Sequence, residues 1–306
     1  MISIYKRKVS DESIKRIYRP EEGVWVVAIE PTEVEVEKLA EDWEVDDGHL
    51  RDAIDPYEVP RMEIEESGTY IFTRVPIQEG KTIYTVPILL LLFKKGLMTI
   101  SVEPLSFIDK LIKKDHDLYT EDHITLFLKV LGESISAYNA LLTTIRKKVR
   151  LISSDLENIS NTEITQFIYF ENILNDFLSA LLPTQAIIAT IASGKIITLS
   201  EEEKEEAEDL SLSYGQVVEA TKSTLKTIVN TREAASTIMT NNLNKVIKRL
   251  TSLTIVLTIP TMIASFFGMN VQVPLADHPL GFFFIAAITI LLAGGLLYIF
   301  NKKDWF

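Results

Sequence analysis

Two long stretches near the end of the chain contain no charged residue. No Asp, Glu, Lys or Arg lies between Arg249 and Asp277, and none lies between His278 and Lys302. Each stretch exceeds the roughly 20 residues that a helix needs to cross the hydrocarbon core of a bilayer. The second is apolar on every helical face, which suits lipid better than a soluble core. We therefore predict two transmembrane helices, at residues 250–267 and 280–300.

Basic residues flank these two segments on one side only. The segment that connects them, residues 270–279, has no Lys or Arg, whereas five basic residues lie at the opposite ends: Lys245, Lys248, Arg249, Lys302 and Lys303. The positive-inside rule then places both termini in the cytoplasm. We expect a multi-pass protein of the plasma membrane with a ring of basic residues at its cytoplasmic surface and a short basic tail at 301–306.

Composition excludes several classes of function. The net charge of −12 argues against a nucleic-acid-binding protein, and the absence of cysteine excludes disulfides and thiolate metal sites. The sequence has no GxxxxGK[ST], GxSxG or HExxH motif, so no enzyme is predicted. The four histidines show no pairing at helical spacing, so neither a zinc cage nor a resident cofactor is expected.

Residues 1–120 have the pattern of an α/β domain. The Thr32–Glu35 pair has capping-box spacing for a helix to about Trp43. Strand and turn signals predict a strand at 23–30, hairpins at 61–66 with 70–75 and at 86–93 with 97–102, and a short helix at 107–114.

Helical periodicity replaces the strand signals from residue 121 onward. Two long antiparallel helices are expected within 121–199, divided by a cap at Ser160, with Pro183 as a kink and Gly194 as the end of the second. The seam of the first is Leu131, Ile135, Tyr138, Leu142, Ile145, Val149, Ile152, Leu156 and Ile159.

A very long helix is expected to follow. Ser200 and Glu203 form another capping box, and no proline occurs from there to Pro260. A stalk at residues 200–249 would therefore continue unbroken into the first transmembrane helix, on the order of 100 Å in length. Such a helix is not stable alone, and two spans per chain are too few to enclose a pore. Both facts favour a symmetric homo-oligomer embedded in membrane lipid.

Hydroxyl side chains form one stripe along the first predicted span. They are Thr251, Thr254, Thr258, Thr261 and Ser265, and Asn244 lies seven residues earlier on the same face. One interpretation is the wall of a water-filled pore to which each subunit contributes a stripe. The other is helix packing in lipid, with each hydroxyl bonded to a carbonyl four residues earlier.

The triplet Gly268-Met269-Asn270 follows the first span directly. A Gly-Met-Asn triplet at this position, within a two-span chain with a basic tail, resembles the CorA-type magnesium channels. The resemblance covers the whole chain and implies a pentamer that carries magnesium inward, driven by the membrane potential. It also implies cobalt and nickel as further transported ions.

The same resemblance assigns roles to individual residues. Asn270 would form the outer mouth in the loop at 268–279, with Gly268 allowing a tight backbone and Met269 packing against its neighbours. Asn244 would form a second polar ring. The remaining pore positions would be Ile247 and Leu250, as an apolar gate, with Thr258 and Thr261. This loop departs from the family in carrying a single acid, Asp277.

An acidic run, residues 201–209, opens the long helix. In CorA-type channels acidic residues between subunits bind regulatory magnesium, so Asp209 and Glu208 are candidate ligands for Mg²⁺ as regulatory ion. The alternative is a solvated first turn that is stabilised by the helix dipole. Two rival functions also stay open: a zinc transporter of the same superfamily, with or without proton coupling, and a membrane-anchored scaffold or signalling protein.

Overall fold

The computed structural model describes residues 1–114, 118–156, 159–271, 274, 279–303 and 305. Within that part of the chain seven strands form one mixed sheet, in the order β2-β1-β3-β7-β6-β5-β4. The strands are β1 (Ile2–Lys6), β2 (Lys15–Ile17), β3 (Val24–Ile29), β4 (Arg61–Glu65), β5 (Gly68–Glu79), β6 (Thr82–Phe93) and β7 (Gly96–Ser101). The pair β3–β7 is parallel and the other neighbours are antiparallel.

The central hairpin is longer than the sequence predicts. Strands β5 and β6 pair from Gly68 with Phe93 to Glu79 with Thr82, and both run through a proline, Pro76 and Pro87. A proline lacks the N–H that a strand donates, so it fits where the outer side of a strand has no partner. Pro76 meets this condition because the pairing of β5 with β4 stops at Phe72, and Pro87 meets it because the pairing of β6 with β7 stops at Ile88.

Two short helices lie against one face of the sheet. They are α1 (Glu33–Trp43) and α2 (Asp47–Asp52), and α1 begins at the predicted capping box of Thr32 and Glu35. Their apolar side chains form one buried cluster with alternate residues of the central strands, such as Tyr70 and Leu89. Burial of this apolar surface holds the helices to the sheet.

Longer helices cover the opposite face. After α3 (Ser106–Lys114) come α4 (His123–Ser153) and α5 (Asn161–Ala192). The hydroxyl of Tyr138 on α4 donates to the carbonyl of Arg74 (2.9 Å), and Thr184 on α5 shares a buried hydrogen bond with Thr73 on β5 (2.7 Å). These polar contacts fix both helices in register on the sheet.

Helices α4 and α5 are antiparallel, as predicted. Tyr138 stacks edge-on against Phe177, with ring centroids 4.8 Å apart, and Lys148 lies 5.9 Å from the ring of Phe170. The residue number thus rises along α4 as it falls along α5. Ser160 caps α5 through a capping box with Glu163, and Gly194 follows its end with φ +69°.

One part of the predicted seam is wrong. The positions from Leu131 to Val149 are buried, but α4 ends at Ser153, so Leu156 and Ile159 lie beyond the helix. The Ser154 N–H bonds to the carbonyl of Leu151, only three residues back, which tightens and closes the last turn. An apolar spacing of three and four residues therefore continues here past the end of the helix.

The last two helices are α6 (Glu201–Phe267) and α7 (Gly281–Lys302). The predicted Ser200–Glu203 box opens α6: the Glu203 N–H donates to the Ser200 hydroxyl (3.3 Å), and the Ser200 N–H donates to the Glu203 carboxylate (2.6 Å). The helix runs 67 residues without interruption, through Pro260. The expected unbroken stalk is therefore present.

The chain divides into two compact units within α6. One comprises Met1–Ser154 with Ser160–Asn230, and the other comprises Asp155–Ile159 with Thr231–Phe306. In the first unit the Tyr214 hydroxyl donates to the carbonyl of Leu131 (3.3 Å), and further along both helices Arg146 of α4 and Thr224 of α6 line one groove. The residue number therefore rises in the same direction along both, so α6 runs parallel to α4. The second unit contains the rest of α6 and the whole of α7.

Candidate functional site

Three helices within the described residues are long and apolar enough to cross a membrane. They are α5, α6 and α7, and 44%, 11% and 0% of their most apolar windows are buried. In α5 the apolar side chains contribute to the core of the first unit, with Phe167 and Phe177 fully buried. The apolar parts of α6 and α7 have no comparable protein cover, which fits lipid contact.

The end of α6 and the start of α7 enclose an apolar groove of about 540 Å³. Pro260, Ile263 and Phe267 line it from α6, and Phe282, Ile285 and Thr289 line it from α7. The C-terminal end of α6 thus lies beside the N-terminal end of α7. The two segments form an antiparallel helical hairpin.

The side of α6 that is buried or lines this groove is well defined. Ser252 and Val256 are buried, and Pro260, Ile263 and Phe267 continue the same row. Their steps of four, four, three and four residues keep them on one side of a helix.

The predicted hydroxyl stripe lies on the other side. All five of its residues are exposed, as are Asn244, Ile247 and Leu250. With about 100° of rotation per residue, the mean direction of the stripe lies roughly 180° from the row that includes Ser252 and Val256. The stripe therefore points away from α7 and is free to face a different neighbour or water.

The hydroxyl groups of the stripe have a defined orientation. Thr254, Thr258 and Thr261 each donate to the carbonyl four residues earlier, at 2.9, 2.7 and 2.9 Å. The hydrogen bonds of the helix-packing interpretation are therefore present. Because each proton points at the backbone, the hydroxyl oxygens expose their lone pairs outward, and the stripe is a surface of acceptors.

The Gly-Met-Asn triplet lies at the end of α6. The Gly268 N–H bonds to the carbonyls of Ala264 (3.0 Å) and Ser265 (3.2 Å), as is common in a terminal turn. A Cβ at Gly268 would approach these two oxygens only to 3.5 and 3.6 Å, and its φ is not in the left-handed region. Within one chain this geometry does not demand glycine, and the tight-backbone role of Gly268 stays a prediction. Gly268 also lines the apolar groove between α6 and α7.

The other two members of the triplet are accessible. Met269 is 54% exposed, so its predicted packing is not made within one chain. Asn270 is exposed as well. The predicted acid of the outer loop, Asp277, lies outside the described residues.

The five basic residues are exposed and flank the apolar segments of both helices. Lys245, Lys248 and Arg249 precede the apolar part of α6, whereas Lys302 ends α7 and Lys303 caps it. The ring of Trp305 stacks on that of Phe300 near the end of α7, with centroids 5.3 Å apart. An aromatic pair beside lysines is typical of a membrane–water interface.

The two candidate regulatory ligands face different grooves of the first unit. Glu208 lines a groove with Ala189 and Ala192 of α5. Asp209 lines a second groove with Glu133 and Glu206. Adjacent helical residues point about 100° apart, so one ion cannot readily reach both carboxylates.

Glu206 belongs with Asp209, and the sequence reasoning missed it. Burial raises the pKa of the Glu206 carboxyl; Lys129 opposes the rise, and Asp122, Glu202 and Glu203 add to it. The spacing of three residues between Glu206 and Asp209 was the signal that they share a helix face.

Comparison with known proteins identifies the family. The family described as "CorA-like Mg2+ transporter protein" matches residues 20–303. The chain belongs to this family.

Its relatives share the fold over the full length. The chain is 22% identical over 289 residues to the "Cobalt/magnesium transport protein CorA" of Methanocaldococcus jannaschii, covering 92% of this chain and 91% of that protein. The complete structure of the CorA magnesium transporter from the same organism superposes with a TM-score of 0.87 at 19% identity, covering 100% of this chain and 99% of the other. The full-length CmaX protein follows with a TM-score of 0.75 at 15% identity, covering 99% and 97%.

Membership in the CorA-like family settles the class of function. The family is one of Mg²⁺ transporters, so this chain is a membrane transport protein and not an enzyme. The α/β domain, the long helices and the two apolar C-terminal helices are the elements that this chain shares with the complete CorA structure.

Proposed function

We propose that the chain is one subunit of a divalent-cation channel that carries chiefly magnesium into the cell. Cobalt and nickel are proposed as further cargo. The protein would lie in the plasma membrane with both termini in the cytoplasm and the basic residues of α6 and α7 at the cytoplasmic surface. An interior-negative potential would drive entry, contributing about 4.6 kcal/mol per 100 mV for a doubly charged ion.

One observation carries this proposal: the hydroxyl stripe of α6 points away from α7. In a symmetric ring with α7 outside, every stripe would line the central axis. A homopentamer with five stripes is the assembly we propose. Association of this kind would also support the long helix, which is a poor candidate for stability alone.

The chemistry of the stripe supports a hydrated ion. Magnesium releases its water reluctantly, and the hydrogens of those waters point outward. The lone pairs of Thr254, Thr258 and Thr261 can accept them, because their own protons bond to the backbone. A ring of such acceptors would pass the ion with its water retained.

Other positions would complete the pathway. Asn270, at the outer mouth with Gly268 and Met269, would receive the hydrated ion through neutral oxygens. Thr251 and Ser265 would extend the stripe, and Asn244 would form the inner polar ring. Ile247 and Leu250 would form an apolar gate that closes by loss of water.

Intracellular magnesium would regulate this gate. Asp209 is the better-supported ligand of the two acids proposed, because Glu133 and Glu206 line the same groove. Glu208 would have to act separately, from the groove against α5. Magnesium is thus proposed both as cargo and as regulatory ion.

Uptake into liposomes tests the function. The purified chain is reconstituted with an internal magnesium-sensitive dye under an imposed interior-negative potential. Wild-type protein should admit magnesium, Asn270→Ala should abolish uptake, and Asn242→Ala, an exposed Asn outside the proposed pore, should behave as wild type.

The rival functions give different results in the same assay. Zinc uptake that requires a proton gradient, without magnesium uptake, would support the zinc transporter. Absence of any cation uptake by folded wild-type protein would support a scaffold.

A further inference from the structure

A histidine and two glutamates converge at the edge of the sheet in the first unit. His49 on α2 and Glu63 and Glu65 on β4 each offer one ligand atom, and these atoms all lie within 4.8 Å of one another. His49 Nε2 lies 3.9 Å from Glu65 Oε1. Around a tetrahedral zinc ion, ligand atoms stand about 3.3 Å apart, so small side-chain rotations would close the site.

The fold holds the three side chains on one face. Glu63 and Glu65 are two residues apart on the edge strand β4, so both project to the side that α2 covers. The imidazole of His49 lies against the buried ring of Tyr70, with centroids 4.6 Å apart. Tyr70 is itself opposite Glu63 in the β4–β5 pairing.

Helix α2 is tied to the same tyrosine. The Asp46 N–H donates to the hydroxyl of Tyr70 (2.8 Å), and the Asp46 carboxylate accepts from the N–H of His49 (2.9 Å). The backbone that carries His49 is thereby anchored to the strand beside Glu63. The placement of the imidazole is built into the fold and does not depend on an exposed loop.

Negative charge is in excess at this edge. Arg61 makes ion pairs with Asp52, Glu58 and Glu63, so one cation serves three carboxylates. Glu63 binds Arg61 through Oε1, which leaves its second oxygen available. With Glu65 the group has one positive and four negative side chains, and a divalent ion would reduce this excess.

We propose that His49, Glu63 and Glu65 bind a divalent transition-metal ion of the zinc type. An imidazole with two carboxylates suits such an ion better than magnesium, which prefers oxygen ligands alone. Three protein ligands leave a fourth position for water. The ion would join α2 to the edge strand, and the site is independent of the proposed transport function.

Chemical modification of His49 tests this site directly. The full-length protein in detergent is treated with diethyl pyrocarbonate over a series of Zn²⁺ concentrations, and modification of each histidine is measured by peptide mass spectrometry. Zn²⁺ should protect His49 and leave His123 of α4 reactive. The same concentrations of Mg²⁺ should give no protection.

Two matched variants separate a built site from binding to histidine alone. Glu65→Gln should raise the Zn²⁺ concentration for half-protection at least tenfold, whereas Glu66→Gln, the neighbouring acid outside the cluster, should leave it unchanged. A His49 that stays fully reactive at 1 mM Zn²⁺ would overturn the proposal. So would equal protection of wild type and Glu65→Gln.

Discussion

Removal of one hydroxyl from the stripe separates a pore wall from a lipid-facing or packing surface. In Thr258→Val a methyl group replaces the hydroxyl at nearly constant shape. The Thr258 hydroxyl donates to the Thr254 carbonyl (2.7 Å), which already has its backbone partner in the helix. The change therefore costs the helix little, and its main consequence is the loss of an outward acceptor.

The size of the effect follows from the number of copies. A hydrogen bond contributes about 0.5–1.5 kcal/mol net, so even the low value summed over the five subunits of the proposed pentamer is about 2.5 kcal/mol. Since about 1.4 kcal/mol corresponds to tenfold, passage of a hydrated ion should slow roughly 60-fold. The assay is the initial rate of magnesium uptake by proteoliposomes at a fixed potential.

The chain provides a matched control for this variant. Thr289 on α7 makes the same bond, to the carbonyl of Ile285 (2.7 Å), but it lines the groove between α6 and α7. Thr289→Val should transport magnesium at the wild-type rate. A wild-type rate for Thr258→Val, or equal losses in both variants, would refute the assignment of the stripe to the pore.

Three further predictions concern stability, pH and the gate. Thr184→Val should lower the free energy of unfolding by about 1–3 kcal/mol in urea titrations, because it leaves the buried Thr73 hydroxyl without this partner. The double variant that adds Thr73→Val should regain most of this stability. A double variant that is as unstable as Thr184→Val, or less stable, would contradict this reason. Glu206→Gln should raise the melting temperature by less than about 2 °C near pH 7. The gain should shrink as the pH falls through the raised pKa of Glu206 towards the ordinary value of 4.5, because the native carboxyl then takes up its proton before the unfolded one does. Glu205→Gln, at an exposed position, should show no such trend, and a gain that grows on acidification would contradict the prediction. Leu250→Ser should increase the rate of magnesium passage at high internal magnesium at least several-fold, since a polar side chain keeps the narrow apolar segment hydrated. A rate no greater than that of wild type would argue against a gate at this position.

Local signals in the sequence predicted the helical half of the fold well. The capping boxes at Thr32 and Ser200 and the cap at Ser160 each form as expected, because the interacting groups lie within four residues. The unbroken α6 followed from the absence of proline before Pro260. The hydroxyl stripe was visible from its periodicity, and the structure adds that it lies opposite α7.

Long-range pairing accounts for most of what the sequence did not predict. Strands β1 and β2 are short and half-exposed, and the pairing of β2 with β1 and of β1 with β3 leaves little pattern in the sequence. The extension of β5 and β6 through their prolines depends on where the neighbouring strands stop. The cluster at His49 joins residues 14 and 16 positions apart, so a search at helical spacing could not find it; the alternation of Glu63 and Glu65 along a strand was the available signal.

The central claim is that the α6 stripe lines a water-filled ion path, and the absence of cysteine makes it directly testable. Single cysteines are placed at each position from 244 to 265, and each protein is reconstituted and exposed to a membrane-impermeant thiol reagent. We predict that the stripe positions, Thr251, Thr254, Thr258, Thr261 and Ser265, react, that reaction blocks magnesium uptake, and that Ser252 and Val256 stay unreactive. Reactivity confined to the Ser252 side, or a stripe that is modified without any effect on uptake, would contradict the account.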